Sequence, residues 1–190
     1  MSLVPKIDCG DEKESAVQLT FAARVSLRVP TSREEPLLRK WLQASRAERY
    51  RTSPTLGNRR SSTPSEQLVW RIVWVESEPV GYVRWRPVDP AWLRTTVLGG
   101  SVPANALEID VFIGNYERRG LGIGTEAIVR LLHLIREVHG SRCVMARSSV
   151  HDLASRRAHE KAGLREHYFY EDPGLGPAVA MIHFGQADRG

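Results

Sequence analysis

The sequence predicts an α/β or α+β domain with one mixed sheet and helices on its faces. Three observations lead there. Residues 107–113, Leu-Glu-Ile-Asp-Val-Phe-Ile, alternate apolar and polar with the period of a strand. Residues 122–138 place Ala127, Ile128, Leu131, Leu134, Ile135 and Val138 on one side of a helix. A length of 190 residues suits one domain better than two.

The elements follow in order. Residues 1–16 are polar and aperiodic and read as a flexible tail, with a single domain over 17–190. Val17–Val29 reads as a strand closed by Pro30, and Thr31 or Ser32 can cap a helix over 33–45 that carries Leu37, Leu38, Trp41 and Leu42. Residues 52–65 are a Ser/Thr/Pro/Gly/Arg-rich loop. Leu68–Val75 and Val80–Val88 form a hairpin around Glu76-Ser77-Glu78-Pro79. Asp89–Asn105 reads as a long loop. The strand Ala106–Ile113, the helix Gly122–Val138 and a short strand Cys143–Ala146 come next. Asp152 can cap a helix to Ala162, which Gly163 ends, and Tyr168–Tyr170 and Ala178–Phe184 make a closing hairpin.

Composition excludes several classes. Hydrophobic residues at 42% and charged residues at 26% rule out wholesale disorder, collagen and coiled coil. No run approaches the roughly 18 apolar residues of a membrane span, and the N-terminus lacks the apolar core of a secretory signal. Cys9 and Cys143 cannot build a disulfide framework or a four-thiolate zinc site. A cytoplasmic, metal-free protein is expected. The net charge of +5 is uneven: residues 24–60 carry +7 and the remainder −2. A basic segment can attract phosphates, nucleic acid or an acidic partner, but no nucleic-acid motif accompanies it. A solvated, Arg-rich helix face with a loop accounts for it.

Chemistry concentrates at Arg118-Arg119-Gly120-Leu121-Gly122-Ile123-Gly124-Thr125, between a strand and a long helix. Alternating glycines let backbone N–H groups converge, and the helix N-terminus adds about half a positive charge. Such a cradle suits a diphosphate, with Arg118 and Arg119 at its rim. The spacing is neither the P-loop nor the dinucleotide motif. The simpler alternative is a flexible loop opening a helix. On the preceding strand, Glu108 and Asp110 share a face beside this cradle. A carboxylate there can hold an ammonium group and accept its proton; the alternative is an outer, solvated face. Cys143 suits core packing better than nucleophilic chemistry. Trp85 and Trp92 are core residues or stack on a sugar ring.

Arg119-x-x-Gly122-x-Gly124, with the flanking strand and helix and His159-Glu160-Lys161-Ala162-Gly163-Leu164, resembles the GNAT superfamily of acyl-CoA-dependent N-acyltransferases. More narrowly, the chain is similar to the aminoglycoside 6′-N-acetyltransferases. The similar pieces are Val25-Ser26-Leu27-Arg28 with Trp41-Leu42, Pro79-Val80-Gly81-Tyr82, Ile109-Asp110-x-Phe112-Ile113, and Gly176-Pro177-Ala178-Val179-x-Met181. The likeness spans about 25–184 and weakens between 43 and 67.

The resemblance implies a mostly antiparallel sheet with helices on both faces, and direct acetyl transfer from acetyl-CoA to a primary amine in a ternary complex. It assigns cofactor binding to Arg118, Arg119, Gly120, Leu121, Gly122, Ile123, Gly124 and Thr125. The pantetheine arm would lie along the strand, where an N–H of Phe112 or Ile113, with Val111 as alternate, polarises the thioester carbonyl. Asp110 aligns with the substrate-amine aspartate. His159 stands where the family has a general-acid Tyr, with a structural histidine as the alternative. Asp152 replaces a cofactor-binding Asn. Arg147 and Leu175 stand where the aminoglycoside pocket has acids. Asp172, by a loop shift, and Asp89 are the carboxylates that could compensate. The expected partners are acetyl-CoA and a small amine, best the 6′-amino group of an aminoglycoside, with no metal, nucleic acid or membrane, in a monomer or homodimer. The rivals are a GNAT enzyme for a protein N-terminus, lysine or metabolite amine, and a non-catalytic acyl-CoA-binding module.

Overall fold

The structure, a computed structural model, describes residues 24–45, 68–94, 102–103, 105–140, 143–172 and 175–184. The expected tail 1–16, the start of the first strand at 17–23 and the loop 52–65 lie outside the described residues.

Among the described residues, seven strands form one sheet: β1 (Val25–Arg28), β2 (Val69–Val75), β3 (Glu78–Pro87), β4 (Leu107–Ile113), β5 (Cys143–Ser149), β6 (Arg165–Asp172) and β7 (Gly176–Phe184). Their order is β1-β2-β3-β4-β5-β7-β6. Only β4 and β5 pair in parallel among the described strands. That parallel contact needs a crossover, which helix α3 (Ile123–His139) supplies.

The alternation of β3 and β4 sorts the two faces. Val83, Trp85, Leu107 and Ile109 pack with Ile123, Ala127, Ile128, Leu131 and Ile135 of α3 in the main core. Helix α4 (Leu153–Lys161) joins this side through Ala158. On the opposite face, α1 (Glu35–Ala44) buries Leu38 and Trp41 against Trp70, Ile72 and Tyr82. Helices thus cover both faces, as expected.

Several expectations shift. The stretch read as a loop contains a short helix, α2 (Pro90–Arg94). Proline suits its first position, and Leu93 reaches a small core with Val88, Met145, Ala180 and Ile182. Strand β5 runs three residues beyond Ala146, because Arg147, Ser148 and Ser149 continue the ladder to Ala180, Val179 and Ala178. Pairing, and not hydrophobicity, extends it. Val138, expected on the apolar face, is exposed in the last turn of α3. Gly163 follows α4 at φ +100°, the left-handed conformation foreseen for it.

Candidate active site

The site begins where the sheet parts. Strands β4 and β5 pair only at Leu107–Val144, Glu108–Met145 and Ile109–Ala146. Beyond that point β4 continues to Ile113 and β5 to Ser149 with no pairing between them. Among the described strands, Asp110, Val111, Phe112 and Ile113 therefore keep β3 on one edge and lack a neighbour on the other. Backbone donors on such an edge need partners. A cavity of about 440 Å³ opens over this stretch.

At the end of β4 the chain turns through Tyr116–Arg118 into α3. Gly122 takes φ +78° as N-cap, and no side chain caps the helix. The first amides of a helix have no intrahelical acceptor, so those of Ile123, Gly124 and Thr125 are available to an anion. A Cβ added at Gly124 would meet only Ile113 Cγ1, at 3.9 Å. The space above the helix start is therefore open, and the residues present fit a diphosphate group. Arg119 folds back over Tyr116, its guanidinium 3.9 Å from the ring centroid, and donates to the Ile113 carbonyl at 2.9 Å. Arg118, expected at the rim, is turned to Glu78 at 2.5 Å.

The carboxylates of β4 face the cavity with Phe112, as the alternation predicts, but each meets an arginine. Arg84 donates from Nε and Nη2 to Asp110 Oδ2, at 2.8 and 2.7 Å. The Asp110 side chain remains 37% exposed, and its Oδ1 has no partner among the described residues. Glu108 differs. Arg86 binds its Oε2 at 2.8 Å, and Arg147 takes its Oε1. Burial opposes the Glu108 charge, yet the Arg147 and Arg86 guanidiniums outweigh it and hold the carboxyl below its ordinary range. Arg147 also reaches Asp172 Oδ2 at 3.1 Å and stacks on Trp92, its guanidinium 4.9 Å from the ring centroid.

His159, in α4, is buried. Its Nδ1 lies 2.8 Å from the Ser155 carbonyl, which accepts the proton there and leaves Nε2 as the lone-pair nitrogen. Nε2 is buried without a partner among the described residues. Desolvation pushes the imidazole below its ordinary value of 6.5, against the opposing effects of the Ser155 carbonyl, Asp110 and Asp152. The folded state thus binds a proton less readily than the unfolded chain. Stability is full above about pH 6.5 and declines as pH falls toward the lowered value, with a limiting slope of about 1.4 kcal/mol per pH unit. Thermal melts between pH 8 and pH 5 should show the decline. His159→Gln should flatten it; an unchanged slope would mean that other groups cause the loss.

The expected site residues therefore divide. Glu108, Asp110, Val111, Phe112, Arg119 and Asp152 line the cavity. Asp152 also caps α4, accepting from the Ser155 amide at 3.0 Å. Gly120 through Thr125 form the loop and helix start beside it. Asp172 is buried, accepting from Arg147 and from the Leu175 amide at 3.1 Å, and offers nothing to the cavity. Asp89 accepts the Leu93 amide through its backbone at the start of α2 and does not line the cavity. The Trp85 side chain is a core residue: it is buried on the α3 side and donates to His139 Nε2 at 3.0 Å. Cys143 is buried, which raises its thiol to about 11, as core packing requires.

Arg84 and Arg86 escaped the sequence reading, although their two-residue spacing mirrors that of Glu108 and Asp110. Only the antiparallel register sets Arg84 opposite Asp110 and Arg86 opposite Glu108. Among the described residues no group of three or more His, Cys, Asp or Glu could hold a metal ion. No helix among them is long and apolar enough to cross a membrane.

Comparison with known proteins places this architecture. No curated protein matches the sequence closely enough to count as a relative. Among solved structures, aminoglycoside acetyltransferase AAC(6′)-Ib in complex with coenzyme A is 25% identical, with a TM-score of 0.64 over 84% of this chain and 94% of that one. AAC(6′)-Ib with paromomycin and acetyl-CoA is 23% identical, at 0.63 over 84% and 93%. RimL, a ribosomal L7/L12 α-N-protein acetyltransferase in complex with coenzyme A, is 12% identical, at 0.60 over 88% and 98%. The family model of the acetyltransferase (GNAT) domain matches residues 24–165. With a parted β4–β5 pair and an uncapped helix start beside it, the chain belongs to the GNAT acetyltransferases and is an acetyl-CoA-dependent N-acetyltransferase.

Proposed function

We propose that this enzyme transfers the acetyl group of acetyl-CoA directly to a primary amine of a small molecule, in a ternary complex, in the cytoplasm. One observation carries the reading: Asp110 keeps an open carboxylate oxygen on the parted segment of β4, beside the uncapped start of α3. Arg119 and the amides from Gly120 to Thr125 hold the diphosphate. Acetyl-CoA, when bound, supplies an acyl group activated as a thioester. A backbone N–H of Val111, Phe112 or Ile113 offsets negative charge as it develops on the acyl oxygen. Asp110 Oδ1 orients the incoming ammonium group and takes its proton, because only the neutral amine attacks. His159 is neutral at rest, buried and outside the cavity lining, with its one ring proton held at Nδ1 by the Ser155 carbonyl, so the departing thiolate takes the proton released by the amine through solvent.

Two acceptors fit this scheme. The 6′-amino group of an aminoglycoside is supported by the AAC(6′)-Ib neighbours, and would make the chain an antibiotic-resistance enzyme. An amine of a metabolite or a peptide is favoured by the arginines that already partner Asp110 and Glu108. Thiol release from acetyl-CoA distinguishes them. Turnover with 6′-amino aminoglycosides, absent with their 6′-hydroxy analogues, establishes the first. Silence there, with turnover of other amines, establishes the second. Coenzyme A binding without transfer to any amine leaves a non-catalytic binding module and ends the proposal.

A further inference from the structure

The acceptor end of the cavity is charge-compensated, which a polycation does not require. Among the described residues, four arginines line the cavity, Arg84, Arg86, Arg119 and Arg147, against three acids, Glu108, Asp110 and Asp152. Glu108 commits both oxygens to arginines, and Asp172 is buried against Arg147. Seating an ammonium group on Glu108 would strip a part-buried guanidinium of its partner, a costly exchange. Next to these arginines one amine has an open seat, at Asp110 Oδ1, while Asp152 already gives one oxygen to the start of α4; a second amine beside the first would face guanidinium groups.

The same arginines can receive an anion. Arg84 and Arg86 each spend Nε and Nη2 on a carboxylate, and among the described contacts neither uses Nη1 as a donor. A guanidinium has five N–H donors, so capacity remains on both. The two residues lie two positions apart on one face of β3, about 7 Å along the strand. Both sit directly across from the β4 acids, so an anion between them lies a few bond lengths from an amine on Asp110.

We propose that the acceptor is an amine carrying its own acidic group, a carboxylate or a phosphate: Asp110 takes the amine, and Arg84 and Arg86 take the acid. The inference rests on the reading of Asp110 as the amine seat. The acid and amine belong either to a free small molecule or to a peptide N-terminus with a nearby acidic residue.

Thiol release from acetyl-CoA by the full chain tests it, with four groups of acceptors. Glutamate, β-alanine and phosphoethanolamine represent free acid-bearing amines. A peptide beginning Ser-Asp-Glu represents an acidic N-terminus. Ethanolamine is the uncharged control, and spermidine and kanamycin are the polycations. One acid-bearing group should exceed ethanolamine and both polycations in kcat/KM by about tenfold or more, and which group leads identifies the source. In Arg86→Gln, where Arg147 still partners Glu108, the ratio of kcat/KM for the leading acid-bearing amine to that for ethanolamine should fall about tenfold. Thermal melting and coenzyme A titration report whether that variant folds; if it does not, the wild-type ranking decides alone. Polycations turned over as well as the acid-bearing amines, or an unchanged ratio in folded Arg86→Gln, would overturn the inference and leave amine acetylation standing. Transfer to no amine, with coenzyme A still bound, would remove amine acetylation and this inference with it.

Discussion

Replacing Asp110 by Asn should lower kcat by about a hundredfold or more, while the Kd for coenzyme A changes by less than about threefold. Asn keeps the shape of the side chain and still accepts a hydrogen bond from Arg84 through its amide oxygen. It loses the charge and the basicity on which the proposed binding and deprotonation of the amine depend. The diphosphate cradle proposed at the start of α3 is a separate element, so cofactor binding should persist. Asp110→Ala should cost at least as much in kcat, and it also leaves Arg84, whose side chain is only 12% exposed, without its carboxylate. A lower melting temperature for Ala than for Asn would measure that structural share. Steady-state kinetics with a responsive amine, paired with calorimetric titration of coenzyme A, separates the effects. An unchanged kcat in Asp110→Asn would take the carboxylate out of the reaction.

Gly124→Leu should weaken coenzyme A binding by about tenfold or more without loss of stability. Gly124 is the second residue of α3, and its φ lies outside the left-handed region. Leucine has the higher helix propensity, by up to about 1 kcal/mol, and its Cβ would make only an ordinary contact with Ile113. Nothing in the fold asks for glycine here. The remaining reason for a bare backbone is access: a leucine side chain would screen the helix amides and their partial charge from a diphosphate. Calorimetry for affinity and a thermal melt for stability check both halves. Unaltered coenzyme A affinity would sink the cradle assignment, whereas a large fall in melting temperature would return Gly124 to a structural role. Gly122 makes a poorer probe, because its φ of +78° strains any side chain and confounds folding with binding.

The parts of the site that were legible in the sequence are those written in consecutive residues. The period of two in 107–113 sorted Glu108, Asp110 and Phe112 onto one face, and the structure keeps them there. The glycine spacing after that strand marked the helix start that the structure leaves uncapped. Asp152 as an N-cap and Gly163 beyond α4 were readable for the same reason: each acts on backbone groups two to four residues away. The resemblance to GNAT enzymes rested on these local motifs, which explains its agreement with the family match over residues 24–165.

Less legible were features set by residues far apart. Burial of His159 depends on α4 packing against the α3 side of the sheet, and a polar helix does not announce which of its residues will turn inward. Asp172 read as a carboxylate that could serve the pocket by a loop shift, because its partner, Arg147, lies 25 positions away on another strand. Strand β5 continued through Arg-Ser-Ser because β7 was there to pair with it.

Local periodicity and turn chemistry thus determined most element types, the glycine-rich start of α3 and the shared face of Glu108 and Asp110, since each follows from backbone geometry within one or two turns or strand positions. Tertiary pairing decided the character of the pocket. The register that sets Arg84 against Asp110 and Arg86 against Glu108, and the fork that ends β4–β5 pairing at Ile109, join segments separated by 22 to 37 residues. Charges so distant in sequence cannot be known to neutralise one another until the strands are laid side by side. That neutralisation leaves, of the two acids on β4, one open carboxylate oxygen, on Asp110.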